Sequence, residues 1–276
     1  MSYLLVFHGS HDPRSQVAAD ALTQRVREKL QSPPRLRVSP SPCPSPARPS
    51  SSRALAPHLA APDHSVLSSH HQNFVQSAFL ECHPLPLHQQ IEQFALQIQA
   101  AIVTPPCQLI VLPVFLLQGV HVMEDIPAEV ALAQQALGHG VKIEVAPHLG
   151  SHPELDRLIA KQMASVSVEA WILLAHGSRR SGANQPIAAL AEVLGVVPAY
   201  WSVSPGLQVR IQELSHHFRK IGIVPFFLFN GGTMDAIAQT LTNFSQASPN
   251  LTLMLTNPLE ASPELADLLV DLAQGN

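Results

Sequence analysis

An apolar strand that delivers a histidine into a Gly-Ser turn occurs twice in this chain, as Tyr3-Leu-Leu-Val-Phe-His8-Gly-Ser10 and as Trp171-Ile-Leu-Leu-Ala-His176-Gly-Ser178. A repeated strand–His–Gly–Ser unit implies two related halves, and positions that differ between them mark where chemistry is kept or lost. A second correspondence, Leu149-Gly-Ser-His-Pro-Glu-Leu155 with Leu259-Glu-Ala-Ser-Pro-Glu-Leu265, relates the ends of the halves. This second pair is separated by less chain than the first, so the first half carries extra sequence. The stretch 32–73, dense in proline and serine as in Pro40-Ser-Pro-Cys-Pro-Ser-Pro46, accounts for most of the difference. Such a segment buries little, and it reads as a disordered insertion. Its histidines, His58, His64, His70 and His71, have the irregular spacing of chance rather than of a metal relay.

Outside that stretch the hydrophobic period alternates. An apolar run at 4–7 is followed by Val17, Ala21, Leu22, Val26 and Leu30 at helical spacing. A strand at 75–81 precedes a helical face of Leu87, Ile91, Phe94, Ile98 and Ile102. A third strand, 109–117, leads through Gln118-Gly-Val-His121 to a helix starting at Asp125, with Pro127 in its first turn, where a missing N–H costs little. A strand at 141–146 and a helix from Pro153 close the half. The second half repeats the order, with strands near 170–175, 199–203, 221–229 and 251–255. This βα alternation predicts the α/β class, with a four-stranded parallel sheet covered on both faces in each half. The expected domains are 1–166 and 167–276.

With 46% hydrophobic and 13% charged residues, a chain of 276 residues fills substantial cores. Lys plus Arg is 16 against 20 for Asp plus Glu, so no basic field recruits nucleic acid or anionic lipid. Cys43, Cys82 and Cys107 form neither a CxxC pair nor an even set, which suits reduced thiols and gives no structural zinc site. The chain opens on a strand without a basic leader, and no apolar run reaches the roughly 20 residues that span a bilayer, so a soluble cytoplasmic protein is expected.

In open parallel sheets, ligands bind beyond the carboxyl ends of the strands. Three titratable residues of the first half fall there: His8 after the first strand, Glu81 at the end of the second, and His121 in the loop after the third. Two imidazoles and a carboxylate suit a borderline divalent metal such as cobalt, iron or nickel, or proton transfer. Local alignment sets His176 against His8, Ser202 against Glu81 through the Pro84 and Pro205 turns, and Thr233 against His121 through the strands of Pro113 and Pro225. The second half keeps one member of three, and its Asn230-Gly-Gly-Thr233 loop offers no strong metal ligand. The working site is therefore expected in the first half, with His176 either structural or functional. Glu124 and Asp125 read as acidic complements to a helix start.

His8-Gly-Ser-His-Asp-Pro-Arg14, Phe79-Leu-Glu81 and Leu112-Pro-Val-Phe-Leu-Leu-Gln-Gly-Val-His-Val-Met-Glu-Asp-Ile-Pro127 together resemble the sirohydrochlorin chelatases, in their long, two-domain form. The last motif is the most specific. The resemblance implies two flavodoxin-like domains facing each other across a cleft, and a monomer. It also implies insertion of Co²⁺ or Fe²⁺ into sirohydrochlorin, in cobalamin or siroheme synthesis, with loss of two pyrrole protons and with no permanently bound cofactor. On this likeness His8 and His121 bind the metal and accept protons, while Glu81 assists. Neutral histidine suits the double duty, since imidazole titrates near neutral pH. The substrate's carboxylates would meet Arg14, Arg179, Arg180 and the turn amides of Gly9 and Ser10. Two rival readings are a non-catalytic metal or tetrapyrrole carrier and a nickel chelatase.

Overall fold

The computed structural model of the protein describes residues 1–31, 73–101 and 107–275. The insertion expected at 32–73 lies, apart from Asn73, outside the described residues, as does Ile102. The first half contains β1 (Ser2–Phe7), α1 (Pro13–Gln31), β2 (Phe74–Phe79), α2 (Leu87–Ala101), β3 (Cys107–Pro113), a π-helical turn (His121–Asp125), α3 (Ile126–Leu137), β4 (Val141–Val145) and α4 (Leu155–Ala164). The second half contains β5 (Ala170–Ala175), α5 (Gln185–Leu194), β6 (Val197–Tyr200), α6 (Leu207–Ser215), β7 (Lys220–Pro225), α7 (Gly232–Ala247), β8 (Thr252–Leu255) and α8 (Pro263–Gln274).

Both sheets are parallel, in the orders β2-β1-β3-β4 and β6-β5-β7-β8. The order reverses between the first and third strand of each half, which opens a crevice at their carboxyl ends. Register aligns those ends: Phe7 lies beside Phe79 and Val6 beside Pro113. The third strands stop earlier than the apolar runs that announce them. Pro113 and Pro225 end these strands; Val114 and Phe226 N–H still donate to the Val6 and Leu174 carbonyls at 2.8 Å, and the apolar residues after them leave the sheet. On the edge strand β6 the ladder ends at Tyr200, and Trp201 to Val203 form a turn instead.

Strand alternation distributes the apolar side chains to two faces. Leu4 and Val6 of β1 pack with Leu87, Ile91 and Phe94 of α2 and Ile126 of α3. Tyr3, Leu5 and Phe7 enter a second core that contains Leu22 and Val26 of α1 together with Leu173, Ala175, Leu265 and Leu269 of the second half. Each such side chain, at nearly zero exposure, contributes about 1.5–3 kcal/mol of burial. The inner core is thus common to both halves. The closing helices are exchanged across it: α4 packs on β7 and α5, while α8 packs on α1 and β3.

Helix α1 begins with a side-chain cap and a proline. Asp12 Oδ1 accepts from the Arg14 amide at 2.9 Å, and Pro13 occupies the first turn, where its missing donor is tolerated. Its buried face is Ala19, Leu22, Thr23, Val26 and Leu30. Val17 and Ala21, expected on that face, are exposed, Val17 at 67%; they turn instead toward a groove shared with α4 and the loop before α8. Cys82 and Cys107 are free thiols. Among the described residues no helix is long and apolar enough to cross a membrane.

Candidate metal centre

The turn after β1 is built by backbone contact with the second strand. Leu80 N–H donates to the Phe7 carbonyl at 2.9 Å and Glu81 N–H to the His8 carbonyl at 2.8 Å, which carries the pairing two residues beyond the sheet. Glycine is required at position 9. Its φ is +96°, and a Cβ there would lie 1.9 Å from the Glu81 carbonyl oxygen. The contact brings Glu81 up to His8, with Nε2 of His8 3.9 Å from Oε2 of Glu81.

His121 arrives from the loop after β3. Its ring meets that of His8 edge-on, with centroids 4.8 Å apart. Phe115 forms an apolar wall, its ring centroid 6.2 Å from His8 and 6.1 Å from His121. One ligand atom from each of His8, Glu81 and His121 lies within 4.8 Å of the other two, so the three side chains form a group able to hold a metal ion. His8 and Glu81 are about half exposed, and the group is open to an incoming substrate.

Each imidazole has its other nitrogen engaged. Nδ1 of His8 lies 3.1 Å from the Gly9 carbonyl, and Nδ1 of His121 lies 2.7 Å from Oδ2 of Asp125. A carbonyl and a carboxylate only accept, so Nδ1 donates in both neutral rings and each Nε2 keeps a lone pair. Nε2 of His8 lies on the side of Glu81, 3.9 Å from its Oε2, and the ring of His121 meets that of His8 edge-on. Borderline divalent metals accept such a mixed N/O set.

The second half has the same backbone and different side chains. Ser202 N–H donates to the His176 carbonyl at 2.9 Å, as Glu81 does to His8. Gly177 has φ +84°, like Gly9. Yet Ser202 and Thr233 stand where the first half has Glu81 and His121. Among the described residues the one His/Cys/Asp/Glu group with metal-binding geometry is His8, Glu81 and His121.

The other expected contacts are distributed differently. Gly9 and Ser10 line a small cavity of about 170 Å³ beside His8, with Phe7, Phe79, Phe227 and Phe229. Arg179 and Arg180 are exposed in the turn after His176. Arg14, half exposed, is engaged by partners within the protein. Its guanidinium donates to Asp12 at 3.0 and 2.6 Å and to Asp235 of the second half at 3.1 and 2.6 Å. The guanidinium holds both carboxyls below the usual aspartate range, and their bonds to it raise the already high arginine value. A larger groove of about 990 Å³ runs between α1, α4 and the loop before α8, but neither His8, Glu81 nor His121 lines it.

The sequence signal for Asp125 was a His-x-x-x-Asp spacing at the start of a helix, which equally suits a carboxylate complementing the helix dipole. Phe115 gave no signal beyond its place in an apolar run.

The model of the CbiX family matches residues 64–166 and again 170–275. The chain belongs to the CbiX family. The two matches fall one in each half, and the first begins after β1, so His8 is placed by its repeat and by the structure. Three solved structures share the fold at low identity. SirB from Bacillus subtilis with Fe³⁺ is 19% identical, with a TM-score of 0.70 over 99% of this chain and 94% of that one. The sirohydrochlorin chelatase SirB from Bacillus subtilis subspecies spizizenii in complex with cobalt is 18% identical, with a TM-score of 0.67 over 99% and 93%. CbiX, described as the terminal enzyme for biosynthesis of siroheme in denitrifying bacteria, is 18% identical, with a TM-score of 0.62 over 100% and 99%. No curated protein sequence matches the chain.

Proposed function

We propose that this CbiX-family protein is a chelatase that inserts a divalent metal, cobalt or ferrous iron, into sirohydrochlorin. The observation that carries the reading is the convergence of two imidazoles and one carboxylate at the strand-end crevice, with Nε2 of both rings bare. Support comes also from the family membership and from the likeness to a SirB named as a sirohydrochlorin chelatase in complex with cobalt and to a SirB described with Fe³⁺.

The chemistry follows from charge and proton balance. A dication enters a macrocycle that carries two pyrrole N–H groups, and two protons leave. His8 and His121 hold the metal through Nε2. As the metal passes to the macrocycle nitrogens, those same lone pairs are freed to take up pyrrole protons. Glu81, beside His8, adds negative charge that favours both the dication and the imidazolium that replaces it. Neutral nitrogen ligands release a metal more readily than a thiolate set. No electron transfer or phosphate hydrolysis enters the balance.

In this reading residues 1–166 carry the working site, with 32–73 as an insertion, and residues 167–276 complete the cleft within a single copy of the chain. The turn amides of Gly9 and Ser10 and the guanidinium groups of Arg179 and Arg180 contact the substrate's carboxylates. The test is an absorbance assay of insertion into sirohydrochlorin by the purified protein, with Co²⁺, Fe²⁺ and Ni²⁺ in competition. Turnover with Co²⁺ or Fe²⁺ is the expected result. Metal binding without turnover would make the protein a carrier, and turnover with Ni²⁺ alone would make it a nickel chelatase.

A further inference from the structure

The helix that follows β3 contains one residue more than its counterpart in the second half. Gly119 O accepts from Met123 N–H at 3.0 Å, as Gly231 O accepts from Asp235 N–H at 3.1 Å, so the two helices enter in the same register. They leave it out of register. Ile126 and Ile237 are both fully buried against their sheets, yet the first lies one residue further from its glycine. The surplus is absorbed by the π-helical turn His121–Asp125, closed by the Ile126 N–H bond to the His121 carbonyl. In α7 the same stretch is continuous α-helix. Matching Ile126 to Ile237 sets Asp125 opposite Ala236, just as Thr233 stands opposite His121.

A π-turn costs backbone hydrogen-bond quality, and it recurs where a side chain must be re-aimed. Here the re-aimed pair is His121 and Asp125. The bond from Nδ1–H of His121 to Oδ2 of Asp125 is 2.7 Å long, and Asp125 is half-buried. It fixes both the ring's rotation and its tautomer. Without an acceptor at Nδ1, a neutral imidazole favours its proton on Nε2, which removes the lone pair that nitrogen offers to a metal.

We propose that Asp125 is a positioning residue that holds His121 as the Nδ1–H tautomer, with Nε2 presented to the metal. The extra residue of the π-turn is the device that places it there. This rests on the metal reading of the site only where metal affinity is concerned; the tautomer is a property of the metal-free protein.

The experiment uses the full chain and its Asp125→Ala and Asp125→Asn variants. Imidazole ¹⁵N resonances, recorded without metal at a pH where the rings are neutral, report the tautomer of His121. Co²⁺ titration reports affinity. Wild type and Asp125→Asn, which keeps an oxygen acceptor, should show Nδ1–H; Asp125→Ala should shift to Nε2–H. Co²⁺ affinity should fall by roughly 10–100-fold in Asp125→Ala and by less in Asp125→Asn. An unchanged tautomer in Asp125→Ala, or equal Co²⁺ affinity in all three proteins, overturns the proposal. A wild type that shows the expected tautomer but does not bind Co²⁺ through these histidines overturns the metal reading instead.

Discussion

The turns after β1 and β5 share a backbone and differ in chemistry. His8 and His176 each follow a buried strand, each precedes a glycine at positive φ, and each accepts at its carbonyl from the residue two positions past the second strand, at 2.8 and 2.9 Å. That residue is Glu81 in one half and Ser202 in the other. The loop after the third strand adds His121 and a π-turn in one half, Thr233 and a plain α-helix in the other. Parallel-sheet geometry needs the glycine and the carbonyl contact. It does not need the carboxylate or the second imidazole, so those are the positions where a duplicated scaffold specialises. The halves also became interdependent, because each lends its closing helix to the other's sheet.

The largest expected effect tests that division directly. His121→Ala should lower metal insertion by a factor on the order of 10³ or more, because in the proposed function it removes a metal ligand and a proton acceptor together. His176→Ala should have a much weaker effect. Steady-state insertion rates, with near-ultraviolet circular dichroism to check the fold, compare the two; equal losses would break the asymmetry. Glu81→Gln keeps the shape and removes the charge beside His8. It should cost roughly 10–100-fold, while Ser202→Ala in the second half should leave the rate near wild type.

How far the fold was legible follows from the kind of information each feature carries. Alternating strand and helix periods are local, so the βα order and both parallel sheets could be read from the chain. The repeat supplied the alignment that singled out His8, Glu81 and His121, the three side chains that the structure brings together. The exchange of α4 and α8 could not be read, since an amphipathic stripe shows that a helix covers a sheet but not which sheet. The buried face of α1 was misread at Val17 and Ala21, because apolar residues at helical spacing also line the groove with α4. Arg14 stood as a lone cation after the turn, its partner Asp235 lying 221 residues away. Asp125 was visible as an acid at a helix start, but only the extra residue of the π-turn brings it to a ring nitrogen.

A third comparison concerns the two glycines. Gly9→Ala places a methyl group 1.9 Å from the Glu81 backbone oxygen in addition to enforcing a positive φ. It should destabilise the protein by roughly 3 kcal/mol and displace Glu81. Gly177→Ala carries the same φ penalty, but its Cβ contacts are less severe: Val203 Cγ2 at 2.7 Å, which can rotate, and Tyr200 Cβ at 2.8 Å, which is held by β6. Its loss should be smaller, about 2 kcal/mol. Urea unfolding of both variants measures the difference, and a smaller loss for Gly9→Ala would reverse the assignment of the tighter turn.

The smallest effect concerns the contact that joins the halves at their surface. Arg14 bridges Asp12 at the start of α1 and Asp235 in the first turn of α7, and it lowers both carboxyl values. A carboxyl that titrates lower in the folded state favours folding while it is ionised. That contribution is complete above the unfolded aspartate value of about 4 and is lost as pH falls through the lower folded values. Wild type should therefore lose stability more steeply than Arg14→Ala as pH is brought below about 4, and the two should converge at the acid end. Arg14 and Asp235 are exposed and Asp12 is partly so, and the difference at neutral pH should therefore be small and should shrink with added salt. Thermal melts across that range at low and high salt measure it. Parallel curves at every pH would mean that the bridge joins the halves in geometry without contributing to their stability.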